Sequence, residues 1–509
     1  MAKRGGNAVS RIVGRGLAIA VVAIQITMIT FAVLGIQGCK SCGKADPELE
    51  EEAGATIPNN GVDGATPWDG ATPWDGSSAE PGGCTAMFVS VDGGCSARLF
   101  TFAGNGSDVF SGDNVAAVDA GVPAPVGLAV DEAGNVYIAE SASHVVRRVD
   151  IDGVIHSFAG NGDAGAPTFV DAKLSSFIQP MAVGFDRQKH ILIVDFGSNR
   201  VVGVNDGGVL FPFAGTGAQG AVDAGTTPGD DGGATDAPLS GPSDIRIDGE
   251  GNVYIAEYYG QVIRKVAADD KITTFAGKYR VACDGVSGAV RNYFRNIVGF
   301  AISSTGNWDV ATRSGDRWGS GGIDAIRTGT HDVVSLREKP GKERNDPLWR
   351  PVDLTIAEVP DDTTTVDSTF GGLETDPALN DLSCIGYPGY GSANCPADDV
   401  LLANTHFLGP RGIVFDETGN LYFSDSETHL VRKVDVATGM VKTIAGQCTK
   451  ASIVQGAPAA RLPDGGLGGD GRAALASLLY RPTGLAYFRG KLYISDTGNH
   501  RVLVMQVGP

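Results

Sequence analysis

PVGLAVDEAGNVYIAESASHVVRRVDIDGVIHSFAG, residues 125–160, holds four short apolar runs separated by turn residues. GLAVD (127–131) alternates apolar and polar, and EAGN turns the chain into VYIAE (136–140). SASH leads to VVRRVD (145–150), and IDG leads to VIHSFAG (154–160). Gly, Asn and Asp at fixed points between strand-like runs are the chemistry of a tightly turned antiparallel meander. One such sheet cannot bury both of its faces alone.

The stretch recurs. Its first half returns as PMAVGFDRQKHILIVD (180–195), PSDIRIDGEGNVYIAE (242–257), PRGIVFDETGNLYFSD (410–425) and PTGLAYFRGKLYISD (482–496). Its end returns as FTFAG (100–104), FPFAG (211–215), TTFAG (273–277) and KTIAG (442–446). A period of roughly 50–70 residues carrying four strands predicts a propeller or solenoid. In a propeller the sheets pack around an axis, with strand a innermost and strand d at the rim.

The termini set the count. The last copy stops after strand c, HRVLVMQV (500–507), and the missing strand d stands at the other end as ARLFTFAG (97–104). Pairing the two closes a ring of six and leaves no free edge at the seam. The fourth blade is irregular. VGFAIS (298–303) and GNWDVAT (306–312) read as strands a and b. VDLTIAEV (352–359) and TTVDSTFGG (364–372) read as c and d, with 314–349 inserted. The alternative lets 323–336 supply c and d and makes 350–409 the insertion.

The motif set P-x-G, G-N-V-Y-I-A-D/E, S/N-H-R-V-R and F-A-G spans roughly residues 97–509 and resembles the NHL-repeat family of β-propellers. The resemblance implies an all-β propeller, and the count from the termini makes it six-bladed. It also brings a reaction class into view, because some propellers of this type are metal-dependent lyases. The expected organisation is a signal peptide or membrane anchor at 1–38, a tether at 39–83 and the propeller at 84–509. Its blades fall at about 125–179, 180–241, 242–296, 297–409, 410–481, and 482–509 with 84–124.

Residues 1–16 are basic and small, and LAIAVVAIQITMITFAVLGI (17–36) is an uncharged run before Gly38-Cys39. These are the parts of a secretory signal. IQGC (36–39) resembles a bacterial lipoprotein signal, in which Cys39 would take the lipid; Gln37 departs from the small residue usual there. About 20 apolar residues also suffice for a retained anchor, and simple secretion is a third reading. All three place the folded part in the cell envelope, outside the cytoplasm, at the periplasm or cell surface. Residues 45–83, with ATPWDG in tandem at 65–70 and 71–76, hold too little apolar surface to order.

The chain's net charge is −19. Without the first 38 residues, whose four cations are subtracted from −19, the remainder carries −23. Such a surface repels phosphate backbones and argues against nucleic acid as a partner. Eight cysteines suit an oxidising compartment. Cys39 is assigned to lipid, and Cys42 lies beside it. Cys84 with Cys95, and Cys384 with Cys395, bracket loops of equal length and are disulfide candidates, leaving Cys283 and Cys448.

The d-to-a and b-to-c connections of a propeller share one face, and here they are the long and varied ones. Long loops on a rigid ring are where binding is carried. Three residue sets lie there. Strand b ends in an acid at Glu140, Asp195, Glu257, Asp425 and Asp496, with Thr312 in blade four. Recurrence of the acid predicts that it caps a turn or pairs with backbone N–H groups blade by blade, rather than binding cations or acting as a general base. Four residues on stand His144, Asn199, Gln261, His429 and His500. Three histidines are a candidate Zn²⁺ set by ligand type, but recurrence predicts a hydrogen-bonded ring at the blade junctions. Arg147, Arg264 and Arg432 read as inter-blade pairing. The loops PGDDGGATDAP (228–238) and GGDGRAA (468–474) resemble Ca²⁺ loops without the EF-hand ligand order. No resident cofactor is expected, Ca²⁺ or Zn²⁺ being the only ones the residues suggest. No nucleophile elbow, P-loop or dinucleotide fingerprint occurs.

The function these features predict is a membrane-tethered, extracytoplasmic binding or scaffold module for a protein or glycan. The rival is a metal-dependent lyase or lactonase with its site at the central opening.

Overall fold

A computed structural model describes residues 88–91, 94–220, 229–277, 297–302, 308–313, 322–327, 333–335, 398–401, 409–448 and 471–507. The leader, the tether and parts of several long connections lie outside the described residues.

Six antiparallel sheets follow one another along the chain. In blade one, strands a to d are Pro125–Val130, Val136–Glu140, Val145–Val149 and Val154–Ala159. Blades two and three repeat this order from Pro180 to Ala214 and from Pro242 to Gly277. Blade five runs from Pro410 to Ala445, and blade six opens with Pro482–Phe488, Lys491–Asp496 and Arg501–Gln506. The innermost strands touch in sequence around a closed circle, one to two through six and back to one. Five blades are described with their side chains; in blade four only Ile297–Ala301 is, and its other strands are described as backbone.

The seam is the expected one. Gly94–Ala103 serves as strand d of blade six and pairs antiparallel with Arg501–Gln506, Leu99 opposite Met505 and Ala103 opposite Val502. Blade four corrects the preferred reading. Its strands c and d are Gly322–Arg327 and Val333–Ser335, which pair with Trp308–Arg313 and with each other. The strands expected at 352–359 and 364–372 lie outside the described residues. Proximity explains the outcome: strands close in sequence pair at lower closure entropy than strands separated by a long insertion. The missing F-A-G signature had hidden this pair.

The strand b runs are apolar throughout because each is buried on both faces. Val136 and Ile138 pack with Tyr493, Val502 and Val504 of blade six. Tyr137 and Ala139 point the other way and pack with Val183, Ile191 and Ile193 of blade two. The core is therefore a set of clusters between neighbouring blades, and alternate residues of one strand serve two of them. The G-N-V-Y signature also has a reason. Asp131 accepts hydrogen bonds from the Asn135 backbone N–H and side-chain amide and from the Tyr137 hydroxyl. Asp248 and Asp416 repeat this with Asn252 and Tyr254 and with Asn420 and Tyr422.

A second repeated device was not anticipated. The Gly160 N–H donates to the Ala172 carbonyl at 2.8 Å, and the Ala172 N–H donates to Gly208 O of blade two at 2.8 Å. Gly104 with Ala117, Gly215 with Ala234, and Gly446 with Ala474 repeat the first bond. Each alanine is buried. A buried segment thus stitches the end of one blade to the rim of the next. Gly160 has φ +97°, and a Cβ there would lie 2.4 Å from His144 O. Only glycine suits that position, which explains the last letter of F-A-G.

Candidate functional site

The recurring acids are built into the ring. Asp195 accepts the Ile178 and Gln179 N–H groups, Glu257 the Ser240 N–H at 2.8 Å, Asp425 the Gly409 N–H and Asp496 the Tyr480 N–H at 2.7 Å. Each donor lies one or two residues before the proline of its own strand a. Burial raises the pKa of Asp195 and Asp496 against the pull of these bonds.

Glu140 breaks the pattern. The residue two before its proline is Pro123, which has no N–H to donate. Burial raises its pKa from 4.5 to about 8, with Arg147 and Ser143 acting in the opposite sense. A carboxyl with a higher pKa folded than unfolded takes up a proton on folding. Its penalty is absent below about pH 4.5 and grows as the pH rises toward 8. Glu140→Gln is expected to remove this slope, a few kcal/mol by the usual conversion, and to be the more stable form at about pH 9. Urea midpoints across that window measure it; parallel wild-type and variant curves would refute it.

Four of the five positions four residues on are junction latches. His144, Asn199, Gln261, His429 and His500 all have positive φ, between 53° and 62°. His144 Nδ1 lies 2.9 Å from Ile178 O, and Asn199 Oδ1 accepts the Gly241 N–H at 2.9 Å. His429 Nδ1 accepts the Arg481 N–H at 3.2 Å, and His500 Nδ1 the Ala124 N–H at 3.1 Å. Each bond crosses to the next blade. Burial lowers the pKa of His429 and His500, which favours the neutral ring an Nδ1 acceptor requires. The three candidate metal ligands therefore stand at three separate junctions. Among the described residues no three His, Cys, Asp or Glu side chains are grouped to hold a metal ion.

The arginines pair both ways. Arg264 bridges Glu257 of its own strand b at 3.1 Å and Asp230 of the connection from blade two at 2.7 Å, Arg147 reaches Glu140 and, in the connection from blade six, Asp113, and Arg432 reaches Asp398 in the connection from blade four at 2.9 Å. Each guanidinium thus ties its blade to the segment arriving from the preceding one. Asp230 of the acidic loop 228–238 is thereby occupied by a guanidinium. Residues 468–470 of the second acidic loop lie outside the described residues, as do Cys39, Cys84, Cys384 and Cys395; Cys95 is described as backbone only. Cys448 is disulfide-bonded.

Two features of the long-loop face remain after these structural roles. At the inner ring, Phe196, Tyr258 and Tyr259 cluster with ring centroids 5.1 to 5.9 Å apart, and Tyr259 is 44% exposed. Arg411 of blade five lies near enough to feel Glu427 of its own blade and Tyr258 of blade three; burial lowers its pKa and these two oppose the change. Over blade one lies an open groove of about 680 Å³, lined among others by Asp108, Phe110, Pro123, Ser143 and Lys173. Neither feature was legible beforehand, since both depend on residues that break the repeat.

Residues 479–505 match the NHL repeat family model. The match places an NHL repeat in blade six, and the six-sheet ring is that of a β-propeller. No curated protein matches the chain. Among solved structures, a Bacteroides thetaiotaomicron protein of unknown function is similar at 13% identity, covering 82% of this chain and 79% of its own, with a TM-score of 0.47. An auxiliary nutrient binding protein from Bacteroides ovatus has 15% identity, 81% and 77% coverage and a TM-score of 0.46. Virginiamycin B lyase from Staphylococcus aureus has 11% identity, 81% and 99% coverage and a TM-score of 0.39. The ring itself is established by its own strand pairing.

Proposed function

We propose that this chain is a non-catalytic binding propeller, held outside the cytoplasm by its N-terminal segment, and that its long-loop face engages a glycan or protein. The observation that carries the reading is where exposed apolar surface lies. Among the described residues, every exposed large apolar side chain except Ile151 and Val209 belongs to a d-to-a or b-to-c connection; Val109, Phe110, Phe169, Leu174 and Tyr259 are examples. Scattered apolar residues are ordinary, but their concentration on one set of loops marks an interaction face. The rival lyase or lactonase reading would draw on His144, His429 and His500, which stand at three separate blade junctions. The disulfide at Cys448 supports an oxidising compartment, and the basic-apolar-Gly-Cys order of residues 1–39 supports a lipid anchor.

The test uses the full chain expressed in a bacterial host. Wild type is expected in the membrane fraction, and Cys39→Ser is expected to be released or unprocessed. Solubilised wild type is expected to bind members of a panel of immobilised neutral glycans, and Tyr259→Ala to weaken that binding at least about tenfold, the effect of losing an aromatic anchor. Binding that survives Tyr259→Ala unchanged sinks the assignment of the face. Unchanged fractionation of Cys39→Ser sinks the lipoprotein assignment.

A further inference from the structure

Blade six is gripped differently from the other blades whose latches are described. Its junctions with blades five and one both close on a histidine: His429 Nδ1 accepts the Arg481 N–H, and His500 Nδ1 accepts the Ala124 N–H. A ring nitrogen that accepts from a backbone N–H carries no proton of its own. Protonation of either imidazole therefore sets two N–H groups against each other and ends the bond. The remaining described latches are indifferent to acid. At the junction of blades two and three, Asn199 Oδ1 accepts the Gly241 N–H, and an amide does not titrate in this range. At the junction of blades one and two, His144 Nδ1 faces the Ile178 carbonyl, which can only accept. The ring donates there, and a second proton leaves that bond in place.

The residues held by the two acceptor rings are strained. Ala124 has φ +45° and Arg481 φ +50°, in the left-handed region that is costly for any residue with a Cβ. Gly241, held by Asn199, has φ +63° and no Cβ to clash. Where a proton can unmake the latch, the chain it holds is one that relaxes on release. Both strained residues end connections of the long-loop face, immediately before the prolines that open strand a of blades one and six. The connection ending at Ala124 also carries Asp108, Phe110 and Pro123 of the groove wall.

We propose that blade six is an acid-responsive segment of the ring, released at both flanks when His429 and His500 take up protons, while the junctions of blade one with two and of two with three stay closed. Burial is the largest influence on both rings and holds them neutral. Glu427 and Asp496 draw a proton toward His429 and Arg481 repels it; Asp108 and Asp496 draw one toward His500. Asp496 is itself buried and already accepts from Arg501, Asn499 and the Tyr480 N–H. Glu140, at the end of strand b in blade one, has a pKa of about 8 and is uncharged in mildly acid solution. An imidazole whose pKa is lower folded than unfolded supports the closed junction above its free value of 6.5, and that support is lost as the pH falls below it. Both losses fall on the blade that is assembled from the two ends of the propeller. The device is independent of what the long-loop face binds.

Hydrogen exchange of the full chain tests this, read by mass spectrometry at about pH 7.5 and about pH 5.5 with labelling times scaled for the intrinsic exchange rate. Peptides spanning 122–128 and 479–485 are expected to lose at least about fivefold in protection at the lower pH, the effect of one lost hydrogen bond. A peptide spanning 239–245 is expected to hold within about twofold. His429→Asn is expected to preserve protection at 479–485 alone, and His500→Asn at 122–128 alone, because an amide oxygen accepts at either pH. Should a variant fold poorly, the contrast between peptides of the wild type carries the test. An acid loss shared equally by 239–245, the absence of any loss at 122–128 and 479–485, or a loss that survives in both Asn variants overturns the proposal.

Discussion

A chain beginning at Gly106 is expected to fail to form a stable monomer, whereas one beginning at Thr85 folds. The difference between them contains Gly94–Ala103, strand d of blade six. Its removal strips the hydrogen-bond ladder from Arg501–Gln506 and leaves that strand as an open edge beside buried Leu503 and Met505. It also removes Leu99 and Ala103 from two inter-blade clusters and the Gly104 bond to Ala117 O. A buried leucine contributes about 1.5–3 kcal/mol, and loss of several such groups approaches the 5–15 kcal/mol that usually holds a domain. An exposed edge strand then promotes self-association. Size-exclusion chromatography and thermal melting of the two chains check this; melting temperatures within a few degrees of each other would refute closure by the N-terminal strand.

Gly484→Ala is expected to destabilise the ring severely. A Cβ at Gly484 would sit 1.9 Å from Val126 O, on the innermost strand of the adjoining blade. Gly412 and Gly127 meet Thr483 O and Met181 O in the same way, at 2.1 and 2.5 Å. The P-x-G signature therefore marks where inner strands approach backbone to backbone. The added methyl forces blades one and six apart at the axis, where every blade is held by two neighbours. Overpacking of this kind costs about 1–3 kcal/mol in ordinary cores, and the clash with a carbonyl places this site at or above the top of that range. Gly249→Ala is the comparison, since nothing lies within 4 Å of its Cβ, and it is expected to change stability by under about 1 kcal/mol. Urea midpoints of the two variants decide the matter, and equal midpoints would exclude the close-approach account.

The repeat made much of the ring legible because each letter has a local cause. The acids of blades two, three, five and six and the latch residues of blades one, two, five and six bond to backbone N–H or C=O groups at the junctions, a need that recurs with the repeat. The rim stitch was equally available. Ala117, Ala172, Ala234 and Ala474 each stand eight residues before the proline that opens a strand a. They went unnoticed because alanine in a variable loop carries no signal until its two backbone bonds are seen. Blade four was misassigned between two options because its strands c and d lack the signature residues, and hydrophobic alternation alone fits either pair.

The arginines show a different limit. Arg147, Arg264 and Arg432 sit at one register, and the repeat says that they do one job, but not with whom. Their partners come from connections that have no common length. Likewise Pro123 is one proline among 25 in the chain. Its consequence appears only when Glu140, Ser240, Tyr480 and their acids are superimposed by the fold.

By itself the sequence determined the all-β class, the six-fold closure through the termini and the residues that build each junction. Those follow from periodic chemistry, in which glycine, proline, aspartate and alternating apolar residues act through local backbone geometry. Tertiary structure alone decided which side chains depart from the repeat: the cluster of Phe196, Tyr258 and Tyr259, the groove over blade one and the buried Glu140, whose counterparts take a backbone N–H that Pro123 lacks. Such a difference between equivalent sites exists only once the blades are arranged around a common axis.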